Sequence, residues 1–249
     1  MLPMSHTETP LVRKLSAFAR LSPDELACLA ELQSRRRSVA ALTELVHEGQ
    51  TDHRAWILQE GWASCYKLVP NGGRQIIGFP VPGDFMGLRS ILLRTSDHSF
   101  ASLTDAVVTE VPQQRLTEIF QAFPRLGSAI LWSLSRDEAM VVEHLVNIGR
   151  RSAIERLAHL FLELGERLQL VGLASTTGFA CPLNQYLLAD ALGLSAIHVN
   201  RSLRQLRERR LITVKAHQVI IHDLNALKAL AGYDSAYLNG GGRPGSDPS

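Results

Sequence analysis

The chain has 249 residues, a net charge of +2, 45% hydrophobic and 20% charged residues, which is length enough for two ordinary domains and a composition that excludes disordered or fibrous classes. No apolar run approaches the roughly 18 uncharged residues of a membrane-spanning helix, and residues 1–15 carry no export-signal pattern. Only three widely spaced cysteines occur, Cys28, Cys65 and Cys181, a set that suits a reducing cytoplasm and falls short of the four ligands of an ordinary iron–sulfur cluster.

Charge is unevenly placed. Residues 1–149 hold 14 Lys and Arg against 16 Asp and Glu, whereas residues 150–233 hold 11 against 6. Basic charge gathered in one C-terminal piece points to a polyanion partner.

In chain order, residues 10–125 are turn-rich. Ser22-Pro23-Asp24-Glu25 predicts a helix start, with an N-cap, proline at the first helical position and an acidic first turn. Strand-like segments follow at 55–58, 62–69, 75–79 and 107–111, punctuated by Gly49, Gly61, Asn71-Gly72-Gly73 and Pro82-Gly83-Asp84. Short strands with regular turn signals predict an antiparallel barrel or sandwich. Residues 126–149 lack proline and place Leu131, Leu134, Glu138, Val141, Leu145 and Ile148 on one seam, spaced 3, 4, 3, 4, 3. Trp132, Ala139, Val142 and Val146 form a second stripe beside it. Such a seam favours helix–helix pairing, so one stripe is expected on the parent domain and the other on a second copy; Glu138 interrupts it.

Residues 150–233 are mostly helical with a strand pair near the end, and residues 234–249, rich in glycine, are expected to be disordered. The most specific segment is 183–212. Leu187, Leu188, Ala191 and Leu192 supply the apolar face of a short helix that opens near Asn184 and breaks at Gly193. Ser195 caps a second helix, in which Val199, Leu203 and Leu206 face inward. Its opposite face carries His198, Arg201, Arg204, Gln205 and Glu208. Residues 211–214 and 219–221 then read as a two-stranded wing. This is the helix-turn-helix pattern. Residues near the start of the second helix reach base edges in a major groove, where Arg201 offers a two-donor fork for guanine and Asn200 can pair bidentately with adenine. Ser195, His198 and Arg204 are better placed for phosphates.

At this point the chain resembles the CRP/FNR superfamily of bacterial transcription regulators. The resemblance covers about residues 15–232 and rests on three segments: Leu58-Gln59-Glu60-Gly61-Trp62 through Tyr66-Lys67; Gly73-Arg74-Gln75-Ile76-Ile77 through Pro82-Gly83-Asp84-Phe85-Met86-Gly87; and Gly193-Leu194-Ser195 with His198-Val199-Asn200-Arg201. It implies an α+β chain with three parts: an N-terminal cyclic-nucleotide-binding-like antiparallel β jelly roll (10–125), a long dimerisation helix (126–149) and a C-terminal winged helix-turn-helix domain (150–233). The effector pocket it implies includes Gly83, Asp84, Gly87, Leu88, His98 and Ser99. It also implies a homodimer on double-stranded DNA, a barrel that biases a hinge near Gly149-Arg150, and RNA polymerase as a further partner.

The sequence departs from the family's pattern at three places. Cyclic-AMP-binding members carry a Glu after the glycine of the phosphate-binding turn and an Arg-Ser pair further on. Here Leu88 follows Gly87 and His98-Ser99 replaces Arg-Ser, which argues against cyclic AMP, because leucine cannot accept a ribose hydroxyl. Oxygen-sensing members need an N-terminal cysteine cluster, which Cys28 alone does not match, and His47, His53 and Cys65 show no ligand spacing for haem. Third, Ile197 stands where well-studied members have a base-reading Glu; it can touch a thymine methyl but cannot accept from a base, so a changed half-site is expected.

Two rivals come from other classes. A cupin-like metal enzyme needs clustered His and Glu ligands, but the barrel region holds only His47-Glu48 and His53, so neither a metal site nor an enzyme is expected. A regulatory module acting on a protein partner would not need the basic reading helix. The expectation is a cytoplasmic transcription regulator with no membrane association.

Overall fold

The structure, a computed structural model, describes residues 9–51, 54–93 and 95–239. Its described residues divide into two compact units, one formed by residues 9–67 together with Phe79–Ser135, the other by Leu68–Gly78 with residues 136–239.

The first unit is an antiparallel roll flanked by helices. Helix α1 (Pro10–Ser16) is capped by Thr9, and α2 (Pro23–Leu32) opens on the predicted box, with the Ser22 hydroxyl accepting from Glu25 N and Glu25 accepting from Ser22 N. The strands are β1 (Arg36–Val39), β2 (Glu44–Val46), β3 (Ala55–Glu60) and β4 (Ala63–Leu68), with β5 (Arg74–Gly78) following in the chain. Then come β6 (Phe85–Met86), helix α3 (Leu88–Leu93), β7 (Ser99–Ser102) and β8 (Ala106–Val111). One sheet runs β1-β8-β3-β6 and another brings together β2, β7 and β4, all antiparallel. β3 is buried along five of its six residues, because one face meets the roll interior and the other meets helices. Leu11, Leu15, Leu29, Ile57, Phe85, Leu88, Ile91, Leu116, Ile119, Leu126 and Ile130 form the core beneath them. Helix α4 (Gln113–Ala122), which lies within the stretch read as strands and turns, supplies Leu116 and Ile119 to that core.

One turn of this unit is tied down strongly. Gly83 takes φ +94°, and a Cβ there would sit 2.9 Å from the Pro10 carbonyl group. Beside it the Asp84 carboxylate accepts from Lys14 Nζ at 2.7 Å and from Val81 N at 2.8 Å. α1 therefore covers the turn that precedes β6.

Helix α5 (Pro124–Arg150) is a 27-residue helix, slightly longer than expected. Leu131, Val141 and Leu145 of the predicted seam are exposed, as are Val142 and Val146 of the second stripe. Leu134 instead packs on the core of the first unit, and Ile148 is half-buried. The exposed line thus runs Leu131, Glu138, Val142, Leu145 with Val141 and Val146 at its edges. The expected division, one stripe inward and the other outward, is not kept: beyond residue 140 members of both stripes are bare, as a straight 3.6-residue helix drifts off a 3.5-residue repeat.

The second unit is built on α6 (Ala153–Leu170), whose Leu157, Phe161, Leu164 and Leu168 are buried. Against it lie a small sheet of β9 (Ala174–Ser175), β10 (Gly178–Ala180), β11 (Ile212–Lys215) and β12 (Gln218–Ile221), in the order β11-β12-β10-β9, and the helices α7 (Gln185–Leu192), α8 (Ala196–Glu208) and α9 (Leu224–Ala231). The tail expected to be disordered from residue 234 departs from that expectation at its start. Helix α10 (Ala236–Asn239) buries Leu238, and Tyr237 OH donates to Glu163 Oε2 at 2.9 Å. Tyr237 and Leu238, beside Tyr233 just before them, give this stretch enough to bury; the glycine-rich remainder lies outside the described residues.

The same tyrosines enclose His159, whose ring meets Tyr233 edge-on at 4.9 Å and stacks on Tyr237 at 6.2 Å. Burial first, then the charge of Arg151 and the nearby His144, push its pKa from 6.5 down to about 4, although Glu143 Oε2 stands 3.4 Å from its Nε2. The folded chain therefore keeps His159 neutral where the unfolded chain binds a proton. Stability is full above pH 6.5 and falls as pH drops toward 4, by about 3 kcal/mol at most for this group. Burial raises the pKa of Glu163, which acts in the opposite direction. The check is therefore the difference between the parent and His159→Phe in urea unfolding at pH 4.5 and 7: the substitution should remove the acid-linked loss that the parent shows.

Candidate nucleic-acid interface

The reading elements are fixed by local chemistry. The Asn184 side chain accepts from Tyr186 N and Leu187 N, capping α7. Gly193 ends that helix at φ +62°, a left-handed conformation that costs glycine nothing. Ser195 then caps α8, its Oγ accepting from His198 N at 3.3 Å and lying 2.9 Å from His198 Nδ1. Within α8, Val199, Ser202 and Leu206 are buried; Leu203, expected inward, is half-buried, and the small Ser202 joins the buried face instead.

The opposite face is open. Ile197 is 75% exposed, and Ser195, His198, Asn200, Arg201 and Arg204 are all exposed. An aliphatic side chain so exposed gains nothing from folding and is available to a partner. Arg204 Nε donates to Glu208 Oε1 at 2.7 Å, one helical turn on, so it must leave that carboxylate to reach a phosphate. Beyond α8 the wing turns at Ala216-His217, both left-handed (φ 49° and 57°), as a two-residue hairpin requires. Lys215 and His217 are exposed there. The arrangement can place one helix in a major groove, with Ile197, Asn200 and Arg201 toward bases and a basic rim toward phosphates.

The residues assigned to an effector pocket are engaged otherwise. Leu88 is 3% exposed and belongs to the core. Gly87 is left-handed (φ +73°), and its carbonyl accepts from Ser90 Oγ at 2.6 Å. His98 Nδ1 sits 2.7 Å from Asp97 Oδ1, its ring lies against Phe100, and Arg89 pairs with the same Asp97. Burial lowers the pKa of His98, so it is a weaker cation than arginine. Ser99 Oγ accepts from Glu48 N at 2.9 Å. The structure gathers Arg89, Asp97 and His98, and turns Gly83 and Asp84 to α1.

All three cysteines are free and buried. Burial raises the Cys28 thiol and pushes the Cys181 thiol up to about 11, which disfavours the reactive thiolate.

Comparison with known proteins decides the assignment. A Crp-like helix-turn-helix domain profile matches residues 155–230, and a cyclic nucleotide-binding domain profile matches residues 36–123. Over 174 residues, 69% of this chain and 71% of the relative, it is 32% identical to the nitrogen fixation regulation protein FixK of Bradyrhizobium diazoefficiens. The chain belongs to the CRP/FNR family of transcription regulators.

This CRP/FNR regulator is also 30% identical to the transcriptional activatory protein AadR of Rhodopseudomonas palustris, over 75% of this chain and 77% of that one. Among solved structures, FixK2 from Bradyrhizobium japonicum shares its fold at a TM-score of 0.71 and 24% identity, covering 80% of this chain and 98% of that one. The function that follows is transcription regulation by a DNA-binding helix-turn-helix. Among the described residues no helix is long and apolar enough to cross a membrane.

Sequence reasoning missed how the helix-turn-helix is held. Arg74 donates to Asp190 and Gln75 to the Ala191 carbonyl, both at the end of α7. Arg74 and Gln75 stand in a segment that carries the family resemblance, but nothing in their spacing names a partner 116 residues away.

Proposed function

We propose that this regulator acts as a cytoplasmic homodimer on an inverted-repeat operator, pairing through the exposed line of α5 and reading one half-site with each α8. The observation that carries the reading is the division of α8 into a buried face of Val199, Ser202 and Leu206 and an exposed face led by Ile197, Asn200 and Arg201. A two-fold pair places its reading helices in successive major grooves about 34 Å apart. Because Ile197 cannot accept a hydrogen bond, the base it meets is expected to be a thymine presenting its methyl group. The names of AadR and of the Pseudomonas aeruginosa activator Anr, 25% identical over 93% of this chain and 94% of that one, support activation; RNA polymerase is the partner that the family resemblance implies.

A cyclic nucleotide does not fit the residues present. The place of the ribose acceptor is held by Leu88 in the core, and Asp84 is satisfied by Lys14 and Val81 N. The barrel is therefore read as a scaffold whose signal, if a small molecule, is of another chemistry.

Selection of bound duplexes from a random pool tests the reading, run with and without candidate ligands and under reducing and oxidising conditions. Recovery of inverted repeats supports it; recovery of the usual family half-site with its usual base at the Ile197 position overturns the Ile197 assignment. On the selected site, Arg201→Ala should cost about 1–3 kcal/mol and flatten preference at one base pair. Arg204→Ala should weaken selected and random duplexes alike, with a shallower salt dependence. Unchanged specific binding in the Arg201 variant would show that another residue reads that base.

A further inference from the structure

Three consecutive residues at the end of α7 are each gripped from outside the helix-turn-helix. Arg74 donates to Asp190 Oδ2 through Nε at 3.0 Å and through NH2 at 2.7 Å. Gln75 Nε2 donates to the Ala191 carbonyl at 3.1 Å. Arg156 NH1 donates to the Leu192 carbonyl at 2.9 Å. The last carbonyls of a helix lack intrahelical donors and carry partial negative charge, so the Arg156 guanidinium and the Gln75 amide suit them, while Arg74 neutralises the Asp190 carboxylate on the same turn.

Arg156 also reaches in the other direction. Its Nε donates to the Arg151 carbonyl at 2.8 Å, in the short link between α5 and α6. Its own carbonyl accepts from Asn147 Nδ2 of α5 at 3.2 Å. Arg151 NH2 in turn donates to Glu143 Oε2 of α5 at 3.2 Å. The turn glycine Gly193 lies over this node: a Cβ there would sit 3.7 Å from Ile148 Cγ2 and 3.9 Å from Arg156 NH1. One planar fork therefore spans the end of α5, the start of α6 and the turn of the reading motif. A lysine, with its single nitrogen, cannot donate in both directions from a fixed plane.

We infer that Arg156, with Arg74 and Gln75 as its supports, sets the separation between half-sites that the dimer accepts. It is a positioning residue, acting through α7 and the angle at which α8 leaves α5. A dimer that reads two half-sites at once must hold both reading helices at one separation and one twist. Each added base pair moves the second half-site by about 3.4 Å along the axis and by about a tenth of a turn. A joint braced on three elements rejects such a change, and a loosened joint follows it.

The inference rests on the homodimer reading above, and the experiment separates the two. The full chain is titrated with three kinds of duplex: the selected inverted repeat, the same repeat with one or two base pairs added or removed between half-sites, and a single half-site. The parent should lose about tenfold or more for each altered spacing, whereas Arg156→Lys should bind the single half-site within about twofold of the parent and discriminate spacings by only about threefold. Arg74→Ala should move in the same direction, and it keeps the test open if Arg156→Lys fails to fold. A folded variant that keeps the parent's spacing profile overturns the inference. So does a variant that loses single-half-site binding as steeply as operator binding, since that assigns the clamp to the fold of the reading motif. A parent that sediments as a monomer overturns the homodimer reading and the inference with it, whereas a dimeric parent that binds every spacing equally overturns the inference alone.

Discussion

Replacing Asp84 with alanine is expected to destabilise the first unit by about 3–5 kcal/mol, the range for removing one partner of a buried ion pair. The Lys14 and Asp84 side chains are 4% and 8% exposed, with Nζ and Oδ1 2.7 Å apart. Taking both charges out of water is costly, and their mutual attraction at this distance offsets the cost. Without the carboxylate, the ammonium group loses the ion pair it makes at 2.7 Å and Val81 N loses its acceptor. Urea unfolding of the parent, Asp84→Ala, Lys14→Met and the double variant measures this. Each single change should be severe, and the double change should recover much of the loss, because two apolar side chains leave no unpaired charge. A loss near zero for Asp84→Ala would show that water replaces the carboxylate. The consequence is local: the pair holds α1 closed over the turn that precedes β6.

How much of this was legible beforehand varied with the range of the interaction. Helix starts at Ser22, Asn184 and Ser195 were readable because a cap is made by residues two or three positions away. The turn at Gly193 was readable because only a left-handed residue joins α7 to α8 so tightly. The exposure of Arg201 and Ile197 followed from helical spacing against Val199 and Leu206. The Lys14–Asp84 pair and the Arg156 node were not readable, since residues 70 and 36 positions apart meet only after the chain has folded. The dimer seam lay between these cases. Spacing identified the apolar stripes of α5, but which of them stays bare depends on where Leu134 and Ile148 find partners within their own chain. Helix α10 was hidden because four residues ahead of a glycine run carry too little periodicity, while Tyr233 and Tyr237 find His159 at long range.

Charging the bare line of α5 should separate the two protomers and, with them, operator binding. Val142 is 56% and Leu145 72% exposed, so Val142→Glu with Leu145→Glu leaves the folded chain almost undisturbed; surface changes away from buried features shift stability by about 0.5 kcal/mol or less. In a two-fold pair the same substitutions meet themselves, which brings four carboxylates to one apolar seam that already contains Glu138. Like charges desolvated at an interface cost several kcal/mol. Sedimentation should show a monomer with unchanged thermal unfolding of each unit. Binding to the inverted repeat should then fall by about 100-fold or more, the factor lost when two linked sites can no longer engage together. Binding to a single half-site should hold, because Ile197, Asn200 and Arg201 lie on α8 and are untouched. A doubly charged chain that still sediments as a dimer would move the interface away from α5. One that becomes a monomer and yet binds the full repeat as before would show that a single reading helix suffices.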